Sequence, residues 1–390
     1  MSEWKKVRLG EIANYVNEKI DIKAFDTSLY ISTDSMLKDK GGIGTPESIP
    51  ESGKVTKYQH NDILVSNIRP YFKKIWFSNR EGGCSNDVLV FRANDNIDST
   101  FLYYVLSDDS FFDHMMSSAN GTKMPRGNRK LIPSFEIPLP PLSTQHRIAS
   151  ILSRYDSLIE NYQKQIKLLE EAAQRLYKEW FVDLHFPGHE NTNIIDGVPE
   201  GWEKKKVNSI IELQSGFAFK SSTFDDNGAY KIVTIKNVKD GAFDGDNVSR
   251  IVAIPEKMPK HCVLADGDIL LSLTGNVGRV CIVNGKNYLL NQRVAKLATD
   301  YKAFAYCLFR SRDMFIEVNN LANGAAQQNV SPIRIGGIKM LLPNMDMLQK
   351  FESTASKLIT RIIYLQSQLR LLTEARDRLL PKLMSGEIEI

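Results

Sequence analysis

The chain has 390 residues and a net charge of +4, and 42% of its residues are hydrophobic and 25% charged. This composition is typical of a folded protein with two or three domains, and it includes no apolar run of the ~18 residues that a transmembrane helix needs. Because the first residues, MSEWKK, lack an apolar signal core and the four cysteines form no CxxC pair, we expect a cytoplasmic protein that holds no metal.

The first predicted element is a globular block of mixed α/β structure over residues 1–142. Strand-like runs such as 63–66 and 88–91 alternate with turns rich in Gly, Asn and Asp, and a helix is predicted near 101–116. The block closes on Ile137-Pro-Leu-Pro-Pro, which cannot continue a strand ladder and favours a helix start.

A heptad ladder then predicts a long helix over residues 143–185, and the same ladder recurs in a second helix over residues 344–390. Apolar residues alternate steps of four and three, which is the a/d spacing of a coiled-coil seam. Arg376 breaks the apolar rule, and the sequence leaves open whether it pairs with an acid of the other helix or faces a partner. Pro381 is expected to end or kink the second helix. The predicted seam residues are Ile148, Leu152, Ile159, Ile166, Leu169, Leu176, Leu358, Ile362, Leu365, Leu369, Leu372 and Leu379.

Between the helices, residues 186–343 repeat the pattern of the first block. Trp202-Glu-Lys-Lys-Lys-Val answers Trp4-Lys-Lys-Val-Arg-Leu, and Asp268-Ile-Leu-Leu-Ser answers Asp62-Ile-Leu-Val-Ser. We therefore predict an α+β tandem repeat, in which two similar globular domains are separated by two long helices that pair antiparallel about a pseudo-twofold axis. Pairing of each helix with another protein, or in a homodimer, is the alternative.

Several segments resemble a known family, the specificity (S) subunits of type I restriction–modification systems. The resemblance covers essentially the whole chain. It is carried by the ending Leu379-Leu-Pro-Lys-Leu-Met-Ser-Gly-Glu-Ile388, by Ile137-Pro-Leu-Pro-Pro-Leu, by Pro199-Glu-Gly-Trp202, and by Asp268-Ile-Leu-Leu-Ser-Leu-Thr-Gly-Asn-Val-Gly278 with Leu290-Asn-Gln-Arg-Val294. The start of the second helix departs from the pattern, because Pro343-Asn-Met-Asp-Met-Leu-Gln349 lacks the paired prolines.

The resemblance implies that residues 1–142 and 186–343 are target recognition domains, each reading one half of a bipartite double-stranded DNA sequence. The helices would dock two methyltransferase subunits, and restriction subunits would join the full enzyme. This chain would hold no cofactor, whereas the methyltransferase partner would use S-adenosylmethionine. The heptad ladder of each helix spans 33 residues, 148–180 and 351–383, and therefore extends about 50 Å. Half-sites one DNA turn apart lie about 34–36 Å from centre to centre, so the helix pair is long enough to set their spacing.

Candidate DNA contacts are the Arg, Lys, Asn and Gln residues of the predicted loops. Arg and Lys pair with guanine, Asn and Gln pair with adenine, and further basic groups contact phosphate. Solvated loops and turn-stabilising amides are the alternative for these residues. The candidates are Arg69, Tyr71, Lys73, Lys74, Lys123, Arg126, Arg129 and Lys130 in the first domain, and Asn276, Arg279, Asn291, Gln292, Arg293, Gln327 and Gln328 in the second.

Two other classes of function are alternatives to DNA recognition. A stand-alone adenine methyltransferase needs an Asn/Asp-Pro-Pro-aromatic motif, but Pro140-Pro141 lies between two leucines, and no PD…(D/E)xK nuclease pattern is convincing. We therefore predict no catalytic residue and a non-catalytic subunit. A coiled-coil scaffold without a DNA role would account for the helices but not for the duplicated Arg/Asn/Gln loops.

Overall fold

A computed structural model describes residues 4–119, 121, 123–246, 248–322 and 328–390. These residues form two compact units: residues up to Ile159 together with Leu372–Ile390, and Glu160–Leu371. Across the described ranges, no helix combines the length and the apolar character that crossing a membrane requires. All four cysteines are free and buried, and burial raises the pKa of the Cys84 and Cys307 thiols to about 12.

The first unit consists of small antiparallel sheets and short helices. Its four-stranded sheet has the order Ala13–Tyr15, Val88–Ala93, Ile63–Ser66, Ile75–Phe77. Its other strands are Lys5–Arg8 paired with Glu136–Leu139, and the three-stranded sheet Lys19–Asp21, Lys54–Tyr58 and Gly82–Cys84. Its helices are Leu9–Ile12, Ser99–Ser107 and Asp109–Ser117, with single 3-10 turns at Ile22–Ala24, Thr27–Leu29, Pro70–Phe72 and Ile132–Ser134.

The second unit repeats this arrangement. Its four-stranded sheet has the equivalent order Glu212–Ser215, Val294–Ala298, Ile269–Ser272, Val280–Ile282, and Glu203–Lys206 pairs with Lys339–Leu342 as Lys5–Arg8 pairs with Glu136–Leu139. A further sheet has the order Ser249–Ile251, Tyr230–Val233, Tyr288–Leu290, Val263–Leu264, and Ile194–Ile195 pairs with Val198–Pro199. The helices are Lys302–Arg310, Arg312–Ala322 and Pro332–Gly336, with 3-10 turns at His189–Asn191, Val207–Ser209, Ser221–Thr223 and Lys260–Cys262.

The helix predicted near 101–116 is two helices. Ser99–Ser107 ends at Asp108, whose extended backbone (φ −68°, ψ 146°) leaves the helical conformation. The Asp108 carboxylate then accepts a hydrogen bond from the Ser110 amide and caps Asp109–Ser117. Asp is favoured at such a cap because it satisfies an amide that has no partner within the helix, so the helical stretch predicted near 101–116 is present but is divided into two helices.

Two 40-residue helices, Leu142–Phe181 and Met345–Met384, each contribute to both units. In the first unit the start of the first long helix shares a core with the end of the second, through Ile148, Leu152, Leu380 and Leu383. In the second unit the end of the first long helix shares a core with the start of the second. These opposite pairings confirm that the helices run antiparallel within this chain.

The predicted seam residues lie on the inner faces of the long helices, and their burial varies. Ile148, Leu152, Ile159, Ile362 and Leu365 are buried. Ile166, Leu169, Leu176 and Leu358 are half-buried against the core of the second unit, Leu379 is half-buried against that of the first, and Leu369 and Leu372 are half-buried.

In the second unit, the most buried stripe of the first long helix combines one position of the heptad ladder, Ala173, with two positions outside the ladder. Ala173, Tyr177 and Phe181 are buried there. The ring centres of Tyr177 and Phe181 lie 5.8 Å and 5.2 Å from that of Phe304, which belongs to the short helix Lys302–Arg310. The buried stripe is wider than a two-helix seam because the helix packs on the globular part as well as on its partner helix.

The two ends of the second long helix are each decided by a local interaction. It begins without paired prolines, and the Asn344 side chain instead accepts a hydrogen bond from the Met347 amide at 2.9 Å. It also continues past Pro381 to Met384, so of the two effects expected of this proline the end of the helix does not occur there. Packing of Leu380, Leu383 and Met384 in the core of the first unit favours this last turn despite the hydrogen bond that proline cannot donate.

Each long helix also binds the start of a short helix in one unit. The Gln145 amide oxygen accepts a hydrogen bond from the Asp98 backbone at 2.9 Å, directly before Ser99–Ser107. In the second unit the two Glu352 carboxylate oxygens accept from the Ala303 and Phe304 amides at 2.9 and 3.0 Å. Burial raises the pKa of Glu352, and these two hydrogen bonds oppose the shift. The long helices are therefore tied to the globular parts by polar contacts as well as by the core.

Candidate functional site

Two predicted clusters of the first unit, 67–74 and 123–130, lie side by side. Ile68 and Arg126 form an antiparallel β-bridge. The Arg69 amide donates to the Pro125 carbonyl at 2.8 Å, and the Gly127 amide donates to the Asn67 carbonyl at 3.2 Å. Backbone hydrogen bonds therefore join segments that are more than fifty residues apart in the sequence into one surface.

A third segment, 85–88, completes this surface and was missed in the sequence. The Asn67 amide donates to the Asp87 carbonyl at 2.9 Å. The Asp87 carboxylate lies 3.2 Å from Nη2 of Arg126, and the Arg129 guanidinium donates to the Asn86 carbonyl. We call the three joined segments 66–69, 85–88 and 125–129 the first platform.

The turn that follows the first platform carries most of its cationic neighbours. Arg69 and Lys73 flank the 3-10 turn Pro70–Phe72, and both have left-handed backbones (φ 50° and 48°). Lys38 Nζ lies 4.0 Å from the centre of the Phe72 ring, and Arg69 and Lys74 each lie 6.0 Å from it. We call Lys38, Arg69 and Lys74 around this ring the Phe72 cluster.

Of the cations in and beside the Phe72 cluster, only some pair with acids within the described part of the chain. Asp109 pairs with Lys73 at 2.7 Å and with Lys40 at 3.2 Å. Lys74 donates to the Thr33 carbonyl at 2.6 Å. Burial lowers the pKa of the Lys74 ammonium, while Asp34 opposes that shift. Lys38 was not among the candidates predicted from the sequence. Its loop is held beside the Phe72 turn by two backbone hydrogen bonds, from the Asp39 and Lys40 amides to the Phe72 and Lys73 carbonyls.

The remaining candidates of the first unit lie on its surface. Tyr71 is 46% exposed, with its ring against that of Phe72 at 4.6 Å. Lys123 and Lys130 are exposed, as are Arg126 and Arg129. This surface thus presents aromatic and cationic side chains together, which is the chemistry that contacts both bases and phosphates.

The second unit contains a platform with the same hydrogen bonds. Thr274 and Asn329 form the β-bridge. The Gly275 amide donates to the Gln328 carbonyl at 2.9 Å, and the Val330 amide donates to the Leu273 carbonyl at 3.0 Å. These bonds correspond one for one to those that join 67–69 to 125–127. The second platform therefore consists of segments 272–275, 291–294 and 328–332.

The third segment is equivalent as well. The Leu273 amide donates to the Arg293 carbonyl at 3.0 Å, as the Asn67 amide donates to that of Asp87. The Val294 amide donates to the Asn291 carbonyl, as Val88 does to Ser85. Aligning Asn291-Gln-Arg-Val294 with Ser85-Asn-Asp-Val88 in the sequence would have identified Asn86 and Asp87 as candidates.

The candidate residues of the second unit lie on or beside this platform. Asn276, Gln292, Arg293 and Gln328 are exposed, and Asn291 and Arg279 are half-buried. Gly275 and Gly278 have positive φ (71° and 85°), which the turn between Ile269–Ser272 and Val280–Ile282 requires. Gln327 lies outside the described residues.

Comparison with known proteins agrees with this duplicated arrangement. The model of the type I restriction modification DNA specificity domain matches residues 1–171 and again residues 199–369. A relative named as the type I restriction enzyme MjaVIII specificity subunit, from Methanocaldococcus jannaschii, is 29% identical and covers 100% of this chain and 93% of that protein. The HindI specificity subunit from Haemophilus influenzae is 21% identical, and the alignment covers 100% of both chains.

The fold is also that of a solved structure. The type I restriction–modification S subunit from M. genitalium superposes with a TM-score of 0.64 and 18% sequence identity, covering 98% of this chain and 96% of that one. Two copies of the specificity-domain model match most of the sequence, and one copy begins in each of the two structural units. The chain therefore belongs to the family of type I restriction–modification DNA specificity proteins.

Proposed function

We propose that this chain is the sequence-specific DNA-binding subunit of a type I restriction–modification enzyme. Each of its two platforms reads one half of a bipartite double-stranded DNA target. The observation that carries this proposal is the second platform, which repeats the backbone hydrogen bonds of the first. One reading surface in each of two repeats suits a target made of two separate half-sites.

The chemistry of the platforms supports DNA as the ligand. Arg126, Arg129 and Arg293 offer the planar guanidinium groups that pair with guanine, and Gln292 and Gln328 offer the amides that pair with adenine. The Phe72 cluster adds cations that suit phosphate. The first unit has the denser positive charge, so we expect it to contribute more of the salt-dependent affinity.

The long helices supply the second part of the proposed function. We infer that they bind two methyltransferase subunits, that these subunits use S-adenosylmethionine, and that restriction subunits complete the enzyme in the cytoplasm. This chain itself is proposed to be non-catalytic and to hold no cofactor. We also propose that residues 1–142 and 186–343 are the two target recognition domains, with the helices 143–185 and 344–390 as spacers.

The deciding experiment is a methylation map of host DNA with this gene present and with it deleted. We expect one bipartite motif, two short half-sites across a fixed gap, to lose its methylation in the deletion strain. If the map is unchanged while the methyltransferase gene is expressed, the proposal fails. Methyl transfer from S-adenosylmethionine by the purified chain alone would instead favour a stand-alone methyltransferase.

A double variant separates DNA reading from a scaffold role. Arg126→Ala with Arg129→Ala removes two exposed cations of the first platform and touches no residue of the long helices. We expect weaker DNA binding by the complex and unchanged co-purification of the methyltransferase subunit. If the double variant binds DNA as the wild type does, the first platform is not part of the DNA interface. If DNA binding by the wild-type complex and by the variant is insensitive to salt, a scaffold role is favoured.

A further inference from the structure

The matching hydrogen bonds make it possible to equate single residues of the two platforms. Asp87 and Arg293 occupy the same position, since each carbonyl accepts the amide of the residue that precedes the β-bridge. Arg126 and Asn329 occupy the other position, as the second partners of the two bridges. The two central positions therefore hold Asp and Arg in the first platform, and Arg and Asn in the second.

Each platform thus presents one arginine at its centre, but from opposite segments. In the first, Arg126 comes from 125–129 and pairs with Asp87 at 3.2 Å. In the second, Arg293 comes from 291–294, and within the described ranges its guanidinium has no ion-pair or hydrogen-bond partner. Asn329, opposite it, accepts a hydrogen bond from the Thr274 hydroxyl at 2.9 Å.

The surroundings of Arg126 favour a base edge over a phosphate as its ligand. Its side chain is 56% exposed even in the ion pair, so part of the guanidinium is free for a ligand. Asp87 orients the group, and its carboxylate would repel a phosphate at the same place. Guanine offers two uncharged acceptors, O6 and N7, which match the parallel donors of a guanidinium.

We propose that Arg126 and Arg293 are the guanine-reading residues of the two platforms, each for its own half-site, and that Asp87 is a positioning residue for Arg126. This inference rests on the proposed function and deepens it. It requires a G·C pair in each half-site. It also requires that the two guanine-reading arginines come from segments that are not equivalent in the two repeats.

The test uses the purified complex of this chain with its methyltransferase subunit, S-adenosylmethionine, and DNA in which each position of the mapped target is randomised in turn. Arg126→Ala is expected to lower the preference for guanine at one position of one half-site about 10- to 100-fold, the range for losing one bidentate contact. Arg293→Ala is expected to do the same in the other half-site only. Asp87→Ala should weaken the preference at the Arg126 position by less.

Two sets of controls separate base reading from charge and folding. Arg126→Lys and Arg293→Lys keep the charge and lose the fork, so guanine preference should fall while the dependence of DNA affinity on salt is kept. Lys130→Ala removes an exposed cation directly after the segment 125–129, so affinity should fall alike for all sequences. Unfolding temperature and co-purification of the methyltransferase are measured for every variant and should not change.

Three results would overturn the inference. The first is that Arg126→Ala and Arg293→Ala both leave the recognised motif unchanged. The second is that both variants lose base preference in the same half-site. The third is that one half-site of the wild-type motif contains no G·C pair. In each of these cases the wild-type complex still recognises two half-sites, and the proposed function stands. A wild-type complex without any bipartite preference would instead contradict the proposed function itself.

Discussion

Arg376 and Asp156 join the two long helices inside the first unit, with Nη1 of the arginine 2.7 Å from Oδ1 of the aspartate. The other carboxylate oxygen accepts a hydrogen bond from the Tyr104 hydroxyl at 2.6 Å. Burial and this carboxylate raise the pKa of Tyr104, which therefore stays a donor at neutral pH. Arg376, the one polar residue of the heptad ladder, thus forms an ion pair between the long helices. Its partner Asp156 also binds Tyr104 of the short helix Ser99–Ser107.

Replacing this arginine should destabilise the first unit. We expect Arg376→Ala to lower the free energy of unfolding by about 1–3 kcal/mol, because it leaves a half-buried carboxylate with one hydrogen bond fewer. Thermal or urea unfolding of the chain measures the effect. Arg378→Ala is the matched control: Arg378 is 77% exposed and pairs with Glu374 one turn away, so we expect less than about 0.5 kcal/mol. Equal effects would show that the bond between the helices adds nothing.

Glu352 is predicted to stabilise the second unit by binding the start of Lys302–Arg310. Glu352→Ala should cost about 1–2 kcal/mol, as the loss of a helix cap does, because two backbone amides lose their acceptor. Ser353→Ala, an exposed neighbour, is the control and should change little. Equal unfolding curves for wild type and Glu352→Ala would contradict this role.

The same residue predicts a pH dependence. Burial raises the pKa of Glu352 in the folded protein above its ordinary value of 4.5. The folded state therefore binds this proton more tightly than the unfolded chain, and that stabilisation is present below pH 4.5 and lost as the pH rises through the raised value. The stability difference between wild type and Glu352→Ala should thus be larger at pH 4 than at pH 7. A difference that grows towards pH 7 would mean that the carboxylate is stabilised in its charged form.

The Phe72 cluster is predicted to contact phosphate. Lys38→Ala and Lys74→Ala should each weaken DNA binding for all sequences alike and reduce the slope of log affinity against log salt by about 1. Lys57→Ala is the control, because Lys57 already pairs with Glu18 at 3.0 Å. Titrations of the complex at several salt concentrations measure the slope. A changed methylation motif in either cluster variant would show base reading instead.

Helix length is predicted to set the gap between the half-sites. Four residues inserted at matching points of Leu142–Phe181 and Met345–Met384 add about 6 Å to each helix, so the gap in the methylated motif should change while both half-sites are kept. The control inserts the same residues into the segment 189–193, whose residues are exposed or half-buried and lie outside both helices. An unchanged gap in the methylation map of the helix variant would exclude this role of the helices.

Much of the fold could be predicted from the residues alone. The heptad ladder depends on local spacing, and it predicted both long helices and most of their inner faces, since a helix of that length must bury one apolar stripe. The repeat followed from matching short segments such as 62–66 and 268–272. The break between two helices at Asp108 was not predicted, because a side-chain cap decides where the second helix begins. The continuation of the second long helix past Pro381 was not predicted either, because it depends on packing in the core.

The candidate site shows the opposite balance. Residue type alone indicated Arg126 and Arg293 as DNA contacts, but it could not show that 67–69 and 125–127 are bridged, because those hydrogen bonds join segments far apart in the sequence. Asp87 has no notable local motif. Alignment with Asn291-Gln-Arg-Val294 could have suggested it as a candidate, but its place beside Arg126 follows only from their 3.2 Å contact. Helices and repeats follow from interactions between near neighbours in the chain, whereas the two platforms are made by contacts that exist only once the chain has folded.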